Sequence, residues 1–403
     1  MKTTKQDAIS VGAKNLSPKP LPPGWRWVRL GEVTTVVNGT TPASDNLEYW
    51  GGDIIWITPS DLGKLEQIEI THSARMITKA GLYSCNLTLV PPGTVVMSSR
   101  APIGHLGIVK VSLCTNQGCK SFVPGQDVDS YFLYFSLKRS VWNLQQIGSG
   151  ATFAEVSKSQ CESFQIPLPP LPEQQRIAAI LKEQMAAVEK ARRAAEARLE
   201  AINALPAAFL RQVFPQPGQP LPDGWKWVNF GAITRNFDGM RVPVKQSDRK
   251  PGPYPYYGAS GIIDFVSDYL FDGDYLLIAE DGANLVMRST PIAFAASGKF
   301  WVNNHAHVVQ PISDVLLDFL RFYFEVADIS KFITGSAQPK LNQDDLNSVP
   351  IPLPPLSEQR RIAAILKEQM AAVEKARRAA QEELAAINAL PAALLRRAFA
   401  GEL

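Results

Sequence analysis

The sequence predicts an α+β protein: two globular modules separated by two long helices paired as an antiparallel coiled coil, with internal twofold pseudosymmetry. Three observations carry that expectation. RIAAILKEQMAAVEKARRAA occurs twice, from Arg176 and again from Arg361. LPPGWRWVRLGEV at Leu21 returns as LPDGWKWVNFGAI at Leu221. The stretch opening IPLPPL at Ile166 returns at Ile351 with roughly forty of its forty-nine positions identical. A repeat this long exceeds the ~20–50 residues of solenoid units, so two tandem copies of one module account for it better.

In chain order, residues 1–20 are expected to be a poorly ordered tail. Residues 21–165 form the first variable module, opened by PPGW. DIIWITPSDL, LTLVPPGTVVMSS, LGIVKVSL and CKSFVP are short β-rich runs broken by Pro and Gly, and VDSYFLYFSLKRSVWNLQQI reads as helix. Residues 166–214 are the first constant segment. Its proline-rich lead-in fixes an extended path, and from Pro172 to about Ala204 there is no glycine or internal proline. Ala, Glu, Lys, Arg, Gln and Leu dominate there, which is strong helix-forming composition.

Leu181, Val188, Ala195, Ile202 and Phe209 recur every seventh residue, flanked by Ile177, Met185, Leu199 and Leu205. Ile362, Leu366, Met370, Val373, Ala380, Leu384, Ile387 and Leu394 repeat the stripe in the second copy. A seven-residue apolar period is what a coiled-coil seam needs. The stripe either packs on its own module or pairs with its twin as a spacer; the matched lengths favour pairing. Pro206 and Pro391 are expected to kink or break the helices before a short terminal turn. Residues 215–220 are a proline-glycine linker. Residues 221–350 form the second module, with YLLIAEDG, TPIAFAAS and KFWVNNHAHVVQP as its β-rich runs, and 351–403 the second constant helix.

Composition sets outer limits. Hydrophobic content of 45% and charged content of 20% fit a soluble globular chain. A net charge of +3 excludes a polybasic tail but leaves local basic patches for nucleic acid. The N-terminus lacks a signal-peptide core and no stretch approaches the ~18 apolar residues of a membrane span, so a cytoplasmic protein with no membrane role is expected. Cys85, Cys114, Cys119 and Cys161 all fall in the first half. Cys114 and Cys119 have a spacing zinc could use, but with no partner pair they read as plain buried or half-exposed thiols. No metal site is expected.

PLPPLPEQQRIAAIL and PLPPLSEQRRIAAIL resemble the conserved-region signature of specificity (S) subunits from type I DNA restriction–modification systems. So do the PxGW openings, the SSRAPIGHLGI…TNQGCK run, YPYYGASGIIDFVSDYLFDGDYLLIAEDG and KFWVNNHAHVV. The resemblance covers the chain from about Leu21 to Leu403. It implies a non-catalytic protein whose variable regions are target-recognition domains, each reading one half of a split sequence in double-stranded DNA. It implies that the paired helices fix the separation of the readers and dock two copies of a methyltransferase (M) subunit. Restriction/translocase (R) subunits complete a restricting assembly. No cofactor is expected on this chain; S-adenosylmethionine and ATP belong to the partner subunits.

Differing modules imply a non-palindromic target, because a palindrome calls for identical readers. Base reading needs directional groups, chiefly Arg to guanine and Asn or Gln to adenine. In the first module the candidates are Arg100 and His105 in SSRAPIGH, Asn116, Gln117 and Lys120 in TNQGCK, and Asn38, Thr40 and Thr41 in NGTTP. Thr152 and Lys158 suit phosphate. In the second module they are Arg241, Lys245, Tyr256, Tyr257, Ser260, Asn284, Arg288, Asn303, Asn304 and His305, with Gln338, Lys340 and Asn342 from the closing loop. For each turn-borne Asn or Thr the competing role is local backbone capping, and for the tyrosines it is core packing. His305 and His307 sit at strand spacing, but no third metal ligand is evident.

Two other classes compete. A stand-alone restriction enzyme or methyltransferase would need an Asn/Asp-Pro-Pro-aromatic motif with a glycine-rich cofactor loop, or a GxxxxGK(S/T) loop, and none occurs. Pro222-Asp223 with Asp248 and Lys250 mimics a nuclease pattern, but the first copy has Pro-Pro there, so Asp223 reads as a turn residue. A coiled-coil interaction scaffold that does not bind DNA explains the helices but not the module motifs. No catalytic residue is expected.

Overall fold

A computed structural model describes residues 21–148, 154–335 and 337–403. The 1–20 tail and Thr152 lie outside the described residues. The chain divides into two compact units, one reaching Arg193 together with Ala385–Leu403, the other Ala194–Leu384.

In the first unit a five-stranded sheet runs in the order Thr34–Asn38, Cys119–Pro124, Val95–Ser98, Leu106–Val109, Glu69–Ile70. Beside it, Arg75–Ile77, Trp50–Ile57 and Cys114–Thr115 form a three-stranded sheet. The helix Ser130–Arg139 buries Phe132, Leu133, Phe135 and Leu137 in the core beneath the larger sheet, with Asp129 capping its first turn. Of the cysteines, Cys114, Cys119 and Cys161 are buried and Cys85 is half-exposed. Burial pushes the Cys114 and Cys161 thiols up to about 12, so they behave as packing residues.

The second unit repeats the plan. Thr234–Asn236, Ala306–Pro311, Tyr275–Ala279 and Ala293–Ala296 form one sheet in that order. Gly261–Val266, Pro251–Gly258, Lys299–Val302 and Phe271–Asp272 form the other. The helix Leu317–Val326 buries Phe319, Leu320, Phe322, Tyr323 and Phe324.

Each module is tied off at its base by a two-stranded antiparallel ribbon that joins its opening to its lead-in. Val28 pairs with Ile166 in the first and Val228 with Ile351 in the second. The prolines in these lead-ins are tolerated because the ribbon has free edges. A buried glutamine then seats each long helix. Gln174 Nε2 donates to the Asp127 and Pro169 carbonyls (both 2.9 Å) and its Oε1 accepts from the Asp129 amide (2.9 Å). Gln359 does the same with Asp314 (3.1 Å), Pro354 (3.0 Å) and Leu316 (2.8 Å).

The long helices are Leu171–Val213 and Leu356–Ala398, 43 residues each, roughly 65 Å at 1.5 Å per residue. Neither proline ends its helix, so of the expected kink or break the break does not occur. An interior proline costs ~3 kcal/mol or more, but the turns beyond it are held by packing. Leu210 and Phe214 beyond Pro206 are almost fully buried, as are Leu395, Ala398 and Phe399 beyond Pro391, at roughly 1.5–3 kcal/mol per large side chain.

In each unit the segments run antiparallel. In the second, Arg198 pairs with Glu383 at 3.0 Å, while Leu210 and Phe214 share a core with Ile362 and Leu366. In the first, Leu395 and Phe399 share a core with Ile177 and Leu181, and Met185 packs against it. The stripe therefore does both jobs between which the sequence left a choice. Ile177, Leu181, Ile362 and Leu366 seal their own module and also meet the far end of the other helix. Further along, Val373, Ala195 and Ala380 are buried, whereas Val188, Leu199, Ile202, Leu384 and Ile387 are half-buried.

Candidate nucleic-acid interface

In the first module three predicted loops converge. Gly39 lies so close to the TNQG turn that a Cβ would sit 1.9 Å from the Asn116 carbonyl oxygen. Only glycine permits that approach. The Thr40 amide donates to the Thr115 carbonyl (2.9 Å), and the Thr41 hydroxyl bonds the Gln117 side chain. Arg100 lies over the same turn, its Nε 3.3 Å from where a Gly118 Cβ would stand. Its side chain is 37% exposed, with the guanidinium 3.7 Å from Glu155. Asn38, Thr40, Thr41, Arg100, Asn116 and Gln117 thus share one surface.

The remaining predicted residues of this module are placed differently. Lys120 is 4% exposed, donating to Glu155 (3.1 Å) and Ser99 (3.2 Å). Its ammonium is thus committed to the loop from below. His105 is half-buried against Gly63, its ring 3.3 Å from a Gly63 Cβ. Lys158 stands exposed in the first turn of the helix Lys158–Ser163, 3.6 Å from Glu162.

The second module builds its corresponding surface on a closed ion network. Arg241 Nη1 donates to Glu280 (2.6 Å) and to the Ala306 carbonyl (2.9 Å), and Nη2 lies 3.4 Å from Asp238. Lys340 reaches the other oxygen of Glu280 at 3.2 Å. His307, 1% exposed, donates from Nε2 to the Leu341 carbonyl (2.8 Å), so its 2.5 Å contact from Nδ1 to Asp238 needs a shared proton. Burial pushes the Asp238 carboxyl up, but His307, the Val308 amide and Asn236 outweigh that and hold it below the ordinary aspartate value. Asp238, Glu280 and His307 also form a group able to hold a metal. Arg241 and Lys340 already balance these carboxylates, so an ion there would displace a guanidinium. His307 faces this group, not His305.

Several residues expected to read bases are otherwise committed. Tyr256 is buried, its hydroxyl accepting from the Val244 amide at 3.0 Å, and Tyr257 stacks on Phe294. Arg288 donates to the Phe324 (2.8 Å) and Ala327 (2.9 Å) carbonyls at the end of the helix Leu317–Val326. Asn284 closes the turn to Thr290, Asn303 is buried and accepts from the His305 amide (2.8 Å), and Asn342 caps the helix Gln343–Ser348. For the asparagines and tyrosines these are the capping and core roles that competed in the sequence; for Arg288 the sequence offered no such alternative. Lys245, Ser260, Asn304, His305, Gln338 and Lys340 remain exposed.

A family model described as the type I restriction modification DNA specificity domain matches residues 22–197 and again 222–383. The chain belongs to this family. It is 27% identical over 369 residues to the type I restriction enzyme MjaIX specificity subunit of Methanocaldococcus jannaschii, across 83% of this chain and 84% of that one. The EcoprrI specificity subunit of Escherichia coli is 25% identical over 358 residues, 84% and 86% of the two chains. Two solved structures share the fold. A chain from a type I R-M system described in complex assembly and conformational transition has a TM-score of 0.77 at 24% identity, covering 96% of this chain and all of that one. The HsdS subunit from Thermoanaerobacter tengcongensis has a TM-score of 0.64 at 24% identity, covering 96% and 99%.

Four strands of the larger sheet correspond in the same order in the two specificity domains. Thr34 pairs with Pro124 and Thr234 with Pro311; Met97 pairs with Lys120 and Ile278 with His307. This register sets Asn38 beside Asp238 in the comparison, Lys120 beside His307, and Arg100 beside Asp281. The closing loops match too, since the Val156 amide donates to Ser99 as the Leu341 amide does to Glu280. Sequence reasoning missed Glu155, Asp238, Glu280 and Asp281. The usable signal was the charge balance: a lysine or histidine inside a β-rich run needs a carboxylate when buried.

Proposed function

We propose that this chain is the DNA-reading subunit of a type I restriction–modification complex and is itself non-catalytic. Each specificity domain reads one half of a bipartite, asymmetric target in double-stranded DNA, and the paired helices fix the spacing of the halves. The observation that carries this is the double match to the specificity-domain family, on two modules with a shared strand plan and unlike exposed loops.

Two copies of the methyltransferase subunit dock on the long helices, and restriction subunits join in restricting assemblies. The helices support a count of two, because each lines an equivalent groove within its unit. Met185, Val188, Glu189 and Arg192 border a cavity of about 240 Å³ with Phe135. Met370, Val373, Glu374 and Arg377 border one of about 300 Å³ with Phe322. S-adenosylmethionine and ATP are held by the partners. No helix of the described residues is long and apolar enough to cross a membrane, and the assembly works in the cytoplasm.

The test is long-read methylation sequencing of a host expressing this chain with its methyltransferase subunit. A new bipartite methyladenine motif is expected. No new motif, with the complex shown to be assembled, overturns the reading.

A further inference from the structure

The strand register that equates the two domains also exposes an inversion between them. At the place where the first domain carries Arg100, two residues past the pairing of Ser98 with Cys119, the second carries Asp281, two residues past the pairing of Ala279 with Ala306. Arg100 offers only donors. Asp281 does not face solvent alone: its side chain is 17% exposed and covered by His305, whose ring is 47% exposed. His305 Nδ1 lies 2.8 Å from Asp281 Oδ2 and 3.0 Å from Oδ1. A carboxylate only accepts, so Nδ1 carries the hydrogen. In the neutral ring this selects the Nδ1–H tautomer, so Nε2 keeps its lone pair on a side chain that is 47% exposed. The ring is further located by its own backbone, since the His305 amide donates to Asn303 (2.8 Å) and its carbonyl accepts from the Glu280 amide (2.9 Å).

We propose that Arg100 and the Asp281–His305 pair are equivalent reading positions of opposite hydrogen-bond polarity. Arg100 donates to the guanine O6/N7 edge in one half-site. In the other, His305 Nε2 accepts from an exocyclic amine, adenine N6 or cytosine N4, presented in the major groove. Asp281 is a positioning residue: it touches no base and fixes which nitrogen of His305 is free. This deepens the function proposed above and rests on it. It also assigns a reason for unlike half-sites, since the same fold position seeks acceptors in one domain and a donor in the other.

The test uses the assembled complex of this chain with its methyltransferase subunit and its cognate duplex. Amine-lacking bases (purine for adenine, 2-pyrimidinone for cytosine) are placed singly through each half-site. One position in the second domain's half-site is expected to lose at least about fivefold in affinity, from the ~1–3 kcal/mol of a good base contact. His305→Ala binds the unmodified duplex as weakly as wild type binds that analogue, and loses nothing more on it. His305→Gln, which restores an acceptor, regains sensitivity at the same position. Asp281→Asn weakens binding but keeps the analogue penalty at that position. At the first half-site, 7-deazaguanine is the matching probe for Arg100→Ala.

A flat analogue scan in the second half-site, or a His305→Ala variant with an undiminished scan, overturns the inference. If the unmodified complex shows no bipartite preference at all, the functional reading itself fails. Binding to duplexes with each half-site scrambled separates the two failures.

Discussion

At the scale of single residues, the second module is governed by charges it has enclosed. Asp238, 7% exposed, joins His307, Arg241 and the Val308 amide. Asp238→Asn leaves a buried cation short of its partner and should cost about 3–5 kcal/mol in urea unfolding at neutral pH. The sign of the pH effect follows from the direction of its shift. Its folded value lies below the 3.8 of a free aspartate, so its stabilisation is full above that value and is lost as pH falls through the lowered one. Wild type should weaken across that acid window in a way Asp238→Asn does not. This is also where the sequence was least readable. Arg100, Gln117 and His305 were recognisable as polar groups on turns. Arg241, Arg288 and Lys120 look the same in one dimension, and only the fold shows that carboxylates or helix-end carbonyls occupy them. A chemical type is written in the sequence, whereas its availability depends on neighbours far away in the chain.

At the scale of elements, the long helices were the most legible part, because a seven-residue apolar period and the absence of glycine act locally. What could not be read was how they end. Pro206 and Pro391 signal a stop by local rules, and burial of Phe214 and Phe399 overrides them. Phe214→Ala and Phe399→Ala should each cost about 3–5 kcal/mol, with a distinctive address. Hydrogen exchange should quicken in the second unit for Phe214→Ala and in the first for Phe399→Ala. The helix starts depend on Gln174 and Gln359, buried side chains that each make three hydrogen bonds. Gln174→Ala or Gln359→Ala orphans backbone groups at roughly 1–3 kcal/mol apiece. Thermal denaturation should show similar losses for both, and markedly unequal losses would mean the two seats are not equivalent.

At the scale of the whole molecule, the twofold repeat makes quantitative demands on assembly. Met185→Glu and Met370→Glu each place a charge in one of the equivalent grooves. By mass photometry, either variant should hold a single methyltransferase subunit, and the double variant none; loss of both from one substitution would argue against independent docking. The fold class, the repeat and the helix pairing were legible because duplication leaves a long-range mark in the sequence itself. The crossed division of labour was not, since nothing local says that Leu395 and Phe399 complete the core built around Phe132. That crossing has a consequence during synthesis. The first module emerges early from the ribosome, yet its core stays open until the segment around Phe399 has been translated. A ribosome that stalls or terminates within the second helix would therefore release a chain whose earliest-made part is the damaged one, its apolar floor exposed to chaperones and proteases. The arrangement makes the reader complete only when its second half has been made.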